Sequence, residues 1–452
     1  MKKHLSLLLG MCVLNPLIGC GGGSRITQPP PVINGWAWIN GANTANQSGV
    51  YGTQGTASPS NVPGARHIGV SWIDKSGNFW LFGGDGRDST GSFGHLNDLW
   101  KFDGKNWTWA SGANTANQFG VYGTRGTASS SNVPGARNFP TSWSDGNGNL
   151  WLFGGGGYDS VGITGGLNDL WKFDGTNWTW VSGANTVNQP GVYGTQGTAA
   201  PSNVPGARIG ANSWIDSSGN LWLFGASLGY DSSGSLGSLN DLWKFDGTNW
   251  TWISGAATVS QPGVYGTRGT ASPSNTPGAR GASAAWIDKN GNLLLFGGSG
   301  SDSTGTFGVL NDLWKFDGSS WTWVSGSNSI NQSGVYGAKG TAAPSNVPGA
   351  RASLISWSDA TGNLWLFGGG GLDSTGAQGN LNDLWVRRPR LDLGGRREHD
   401  QSGRGVRDTR YNFVLQCARS EGRRNLMDRQ QRKPLVVRRK RLLLHRKGWP
   451  SQ

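Results

Sequence analysis

Charge is scarce in this chain. Of its 452 residues, 14% are Asp, Glu, Lys or Arg, where about 25% is usual for a soluble domain. Cysteine and methionine number three each. Cys12 and Cys20 lie near one end and Cys417 near the other, so the long body between them can hold no internal disulfide and must be stabilised by packing. Histidine is almost as rare, with only His67 and His95 within the repeats. Few imidazoles and no body cysteine leave poor material for a copper or zinc centre. The apolar run Leu5 to Leu14 is too short to cross a bilayer as a helix. In place of these stand 77 Gly and 25 Trp, the balance of short strands and tight turns packed through large flat side chains.

The phrase Leu-Asn-Asp-Leu-Trp occurs five times, beginning at Leu96, Leu167, Leu239, Leu310 and Leu381, at spacings of 71 or 72 residues. A fixed period of this kind signals a repeat architecture. The unit reads GAR…SW.D..GNLWLFGG…DS.G…LNDLWKFDGTNWTWVSG, followed by a long polar stretch such as SGANTANQSGVYGTQGTASPSNVPGAR. Four strands are expected per unit. In the second unit they are Phe139 to Asp145, Leu150 to Gly154, Leu167 to Asp174 and Asn177 to Val181, the outer pairs joined by Asp-Gly hairpin sequences. Trp151, Leu152 and Phe153 are consecutive, as in a strand covered on both faces. The expected fold class is all-β, a β-propeller of four-stranded blades.

The unit resembles a kelch repeat. The resemblance rests on the Gly pairs Gly83-Gly84, Gly154-Gly155, Gly297-Gly298 and Gly368-Gly369 (the third unit has Gly225-Ala226), on the Asn-Asp-Leu-Trp strand, and on Trp107, Trp178, Trp250 and Trp321 shortly after it. It covers residues ~35 to 385. It implies the propeller of the galactose oxidase type, whose copper needs His and Tyr ligands with a Cys-linked Tyr. With only His67 and His95 and no Cys in the repeats, that chemistry is not expected, nor is any other cofactor. The surplus over a usual kelch unit lies between the fourth strand and the next first strand. These insertions and the loops between second and third strands emerge on one face, which is therefore the expected ligand-facing side. Residues 34–40 (NGWAWIN) match an isolated fourth strand and are expected to pair with the last unit, which lacks one, closing the ring. This gives four full blades and a composite fifth, with six or more in an intact product.

Lys2 and Lys3 precede the apolar run, and Leu17-Ile18-Gly19-Cys20 resembles a bacterial lipobox. The resemblance implies a signal peptide over residues 1–20, lipidation of Cys20 and, with Gly21 rather than Asp next to it, delivery to the outer membrane or cell surface. Residues 21–33, opening Gly-Gly-Gly-Ser, serve as a flexible linker. Membrane attachment through the anchor is the expected partnership, alongside a protein or glycan ligand.

Residues 386–452 depart from everything before them. They carry 20 Lys+Arg against 6 Asp+Glu, a net +14 in a chain whose total is +13. A basic tail ordinarily suggests nucleic acid or an anionic surface, but it has few interleaved aromatics. The genetic code offers another reading. Codons for Leu391 to Gly395, read one nucleotide later, can spell Trp-Thr-Trp-Val. The same offset turns Arg404 to Arg410 into GVYGTR, Tyr411 to Gly422 into ITSSSNVPGAR, and Asn425 to Arg439 into ISWIDSNGNLWLFGG. Met427 followed by Asp forces the shifted codon TGG, the Trp of the repeat. The expectation is an out-of-frame sixth unit, disordered as translated here, with no nucleic-acid partner.

Two recurring residue sets are candidates for ligand binding. Arg66, Arg137, Arg208, Arg280 and Arg351 open the first strand of each unit. In a propeller they would ring the channel mouth, either as forked donors for an anion or carboxylate or as ties to backbone carbonyls or a repeat Asp. Tyr51, Tyr122, Tyr193, Tyr265 and Tyr336 recur in VYG within the insertions. They either stack on a sugar or pin the insertion to its blade. Asp88, Asp159, Asp231, Asp302 and Asp373, in Asp-Ser-x-Gly, read as turn residues rather than metal ligands. Asp145-Gly146-Asn147-Gly148-Asn149 lacks the downstream Glu of a calcium loop and reads as a hairpin. No catalytic residue is assigned. The expected function is a non-enzymatic envelope lipoprotein that binds protein or glycan through its long-loop face. The alternative is a carbohydrate-active or galactose oxidase-like enzyme whose catalytic part lies elsewhere.

Overall fold

The computed structural model describes residues 37–388, and among them every regular element is a strand. The signal segment, Cys20, the linker and the basic residues from 389 onward lie outside the described residues. In the first unit the strands are β1 (Arg66–His67), β2 (Val70–Ile73), β3 (Phe79–Arg87), β4 (Phe93–Phe102) and β5 (Trp107–Ser111). In the second they are β6 (Arg137–Asn138), β7 (Thr141–Ser144), β8 (Leu150–Tyr158), β9 (Thr164–Phe173) and β10 (Trp178–Ser182). Each unit is an antiparallel meander, and the third and fourth repeat it.

Units stack face to face through the aromatic residues that the repeat supplies. Trp72, Trp80, Phe82 and Leu99 of the first unit pack on Leu150, Leu152, Trp171 and Phe173 of the second. The same interlock joins second to third and third to fourth. Each fully buried side chain of this size contributes about 1.5–3 kcal/mol. The stacked meanders form a β-propeller.

Two details differ from the expected strands. The expected first strand, Phe139 to Asp145 in the second unit, is shortened to Thr141–Ser144 and preceded by the two-residue strand Arg137–Asn138, because the residue after the short strand turns left-handed: φ is 52° at Ile68, 47° at Phe139 and 54° at Ala282. The kink carries a bond between units, since Phe139 N donates to Ile68 O (3.3 Å) and Ser353 N to Ala282 O (2.9 Å). The second and third strands run further than expected, so what separates β3 from β4 is the five-residue turn 88–92. The long loop expected there is absent, because its glycines continue the ladder as far as Arg87↔Phe93.

The insertions are folded down as straps. The one between β5 and β6 first lies on the first unit, where Ser89 N donates to Asn114 O and Asn117 N to His95 O. It then crosses to the second unit, where Gly120 N reaches Asp159 O, Gly126 N reaches Trp180 O, and Ser129 bridges Trp178. It thus covers the free edge of β10, an edge that would otherwise pair with other chains.

Of the segment 34–40 expected to close the ring, residues 34–36 lie outside the described residues. Ala37 to Asn40 form no strand, Trp38 is exposed, and its indole reaches only Asn40 O. The fifth unit consists of two three-stranded sheets and ends in Leu384–Arg387, a strand that continues two residues beyond the expected boundary. Pairing there is a backbone matter, so Val386 and Arg387 keep register with Trp365 and Leu364 despite the changed sequence.

Candidate functional site

The five arginines and five tyrosines converge, each pair on one carboxylate within its own unit. In the second unit Arg137 Nη1 and Nη2 donate to the two carboxylate oxygens of Asp169 at 2.6 and 2.7 Å. Its remaining donors reach Gly154 O and Gly135 O. Tyr122 OH and Trp171 Nε1 both donate to Asp169 Oδ2 at 2.7 Å. The arrangement repeats around Asp98, Asp241, Asp312 and Asp383. Arg137, Arg208, Arg280 and Arg351 are fully buried and Arg66 nearly so. Tyr51, Tyr122, Tyr193 and Tyr265 are buried as well. The proposed ligand-binding role for both sets is therefore corrected: their polar atoms are spent on one buried carboxylate, and the tyrosine is the pin that holds the strap.

Electrostatics follow from this geometry. Burial opposes the charge on Arg66, Arg137, Arg208 and Arg280, but the facing carboxylate outweighs it and holds each above the ordinary guanidinium value. Burial, reinforced by the neighbouring carboxylate, pushes the Tyr122, Tyr193 and Tyr265 phenols well up. Both shifts favour the charged guanidinium and the protonated phenol.

The turn aspartates also serve the frame, as the sequence suggested. Asp88 Oδ1 accepts from the backbone of Thr90 and Ser92, while Oδ2 accepts from Ala116 N at the start of the strap. Asp145 caps its hairpin through Asn147, Asn149 and the Trp151 indole. Among the described residues no three His, Cys, Asp or Glu side chains are grouped as a metal site would need.

What remains at the strap-bearing end is a set of positions at which the copies differ. Three lie in one register row across each unit: the residue after GAR, the fourth residue of the stretch that begins with Phe and the Gly pair, and the residue before LND. In the first unit they are His67, Asp85 and His95, directly paired across β1, β3 and β4. In the second they are Asn138, Gly156 and Gly166. The third has Ile209 paired with Leu228, and Ser238 beside them, the extra residue of that unit being absorbed by a bulge. The fourth has Gly281, Ser299 and Val309, and the fifth Ala352, Gly370 and Asn380.

Parts of the first three rows line a cavity of about 450 Å3. His95, Asn138, Gly156, Gly166, Ile209 and Leu228 all border it. His95 Nδ1 bonds Asp85 Oδ1 at 2.5 Å, and Asn138 Nδ2 donates to Asp85 Oδ2 at 3.0 Å across the boundary between units. His67 instead stacks on Phe93. The sequence reading noted His67 and His95 only as too few for copper. The usable signal was present in the repeat itself: a position free to change at a fixed offset from GAR, GG and LND is one the frame does not need.

No family model matches the chain, and no curated protein matches it. Solved structures similar in fold include YjhT, at 14% identity and a TM-score of 0.43 over 73% of this chain and 84% of that one. A fungal alcohol oxidase of the AA5 family, solved with copper, shows 15% identity and a TM-score of 0.34 over 70% of this chain and 60% of its own. An endo-arabinase from Bacteroides thetaiotaomicron shows 11% identity and a TM-score of 0.32 over 73% of this chain and 96% of its own. Likenesses this distant say nothing of activity or ligand.

Proposed function

We propose that this chain is a non-enzymatic, kelch-like propeller of the bacterial cell envelope, held by a lipid on Cys20, that binds protein or glycan at its strap-bearing end. The observation that carries the binding reading is the placement of the variable rows. Every other repeated polar side chain discussed above is tied into the frame, whereas these differ from unit to unit, and His95, Asn138, Gly156, Gly166, Ile209 and Leu228 among them border one cavity. The lipobox-like Leu17-Ile18-Gly19-Cys20 and the Gly-rich stretch after it support the anchoring. Lipid-derived chains on one cysteine, being more than one, give stable attachment. Residues 386–452 are assigned no partner, because their shifted-frame reading restores the repeat.

Fractionation of cells tests the anchor: the wild-type chain is expected with membranes, and Cys20→Ser in the soluble fraction. Screening the purified chain against a glycan array and against envelope proteins tests the binding. Failure to retain any glycan or envelope protein would overturn that part of the reading.

A further inference from the structure

We propose that the notch in the second unit receives one neutral sugar residue of a glycan. This rests on the binding reading above and adds the place and the chemistry.

The notch exists because the second unit has lost side chains that its neighbours carry. Of the four glycines that floor it, Gly157 and Gly165 belong to the frame: a Cβ on either would overlap Ala136 O or the Asn188 side chain, and glycine stands at the matching place in the other units. Gly156 and Gly166 differ from these, although a Cβ on Gly156 would press on Asn138 Oδ1 at 3.0 Å and Ile209 Cδ1 at 3.1 Å. Neither has a left-handed backbone, so neither is glycine for conformational reasons. A Cβ on Gly166 would find its nearest atoms at 3.5 and 3.6 Å, on Ala207 and Tyr230, which is ordinary contact. The other units place His95, Ser238, Val309 and Asn380 there. The fold therefore accepts a side chain at 166, and what glycine provides is room.

Part of the lining of that room is polar and carries no fixed charge. His95, Asn138, Thr164 and Asn188 line it, and no Lys, Arg, Asp or Glu does. Asp85 stands behind, bonded to His95 and Asn138. With Asn138 Nδ2 given to Asp85 and Asn188 Oδ1 accepting from Gly166 N at 2.8 Å, the amides offer the cavity one acceptor and one donor. Thr164 can act as either. Hydroxyl groups, which donate and accept at once, match this set. A charged ligand would find no counter-ion in the lining. An aliphatic side chain from a protein would leave these groups desolvated without partners, an unfavourable outcome. The lining also includes Ile209, Leu228 and Leu236 with Tyr230, apolar surface suited to the C–H face of a pyranose. The volume, about 450 Å3, falls in the ~300–1,000 Å3 range of small-molecule sites.

The test is titration calorimetry of the purified chain with neutral disaccharides of glucose, galactose, mannose and N-acetylglucosamine, with sialyllactose and heparin fragments as anionic counterparts. At least one neutral disaccharide is expected to bind, Gly166→Leu to weaken it ten-fold or more, and Ile73→Ser at the hairpin end to leave it unchanged. Thermal melts of both variants establish that they fold. Should Gly166→Leu melt early, Gly166→Ser, the residue of the third unit, gives a smaller loss in the same direction. Neutral-sugar binding that survives both Gly166 variants would overturn the site. Binding of anionic sugars alone, or capture of an envelope protein that Gly166→Leu abolishes while no neutral sugar binds, would overturn the sugar class and leave the binding reading standing. Absence of binding to any sugar and any envelope protein would remove both.

Discussion

At the scale of single residues, the chain is organised by one buried carboxylate per unit. Asp169 accepts from Arg137, Tyr122 and Trp171 at once, so the three polar letters that recur most visibly are one object. Asp169→Asn leaves a buried guanidinium without its counter-charge and is expected to cost about 3–5 kcal/mol. Tyr122→Phe removes one of several bonds to that carboxylate and should cost about 1.5–3 kcal/mol. Urea denaturation of the two variants checks both values and their order. The same clusters set the pH range. Burial pulls Asp383 up, but hydrogen bonds from Arg351, Tyr336 and Trp385 outweigh it and hold the group at about 2. Asp241, Asp145 and Asp216 are also held below the usual carboxylate range. A carboxyl depressed by folding contributes stability above its unfolded value of about 4 and loses it as pH falls through the folded value. The buried phenols are shifted the other way, so their contribution is intact below about 10 and fades as pH rises past it. The melting temperature should therefore be nearly flat from about pH 5 to 9, fall between about 4 and 2, and fall again above about 10.

At the scale of elements, the strap explains letters that looked like punctuation. The Gly of each GAR lies against a backbone carbonyl of its own unit: a Cβ on Gly135 would overlap Tyr158 O, and one on Gly206 would overlap Tyr230 O. Gly135→Ala must move backbone, and the expected result is a loosened strap, seen as faster proteolysis within residues 113–136 while the other straps stay protected. The strands themselves were legible because period-two tryptophans and Asp-Gly hairpins are local signals. The strap was not. Its bonds, such as Gly126 N to Trp180 O, join residues more than fifty apart in sequence, and polar composition alone cannot tell a loop lying on a sheet edge from one standing in solvent. The same limit left two readings open for the arginines, since a buried ion pair and an open anion site use the same residue. It also hid the cavity, whose floor is made by side chains that are missing.

At the scale of the whole molecule, units protect one another. Trp143, Trp214 and Trp286 are 4–7% exposed between neighbouring units, while Trp357, the same residue of the fifth unit, is 42% exposed. Phe367 and Leu384 are uncovered beside it. Trp143→Ala should cost about 3–5 kcal/mol, and Trp357→Ala less, because part of its surface is already exposed; paired denaturation curves decide. A further unit read from the shifted frame would supply the face that is missing, and nucleotide sequence across codons 380–395 would reveal it. The propeller was readable from the repeat period, whereas ring closure was not, because a lone strand carries no signal of what it pairs with. The central claim is that sameness among the units builds the frame and difference among them builds the site. Hydrogen exchange with and without the strongest binder from the glycan and envelope screens tests it most directly. The account predicts added protection in residues 85–95, 154–166 and 228–238. Protection confined to the straps, or to the Asp-Gly hairpins at the other end, would contradict it.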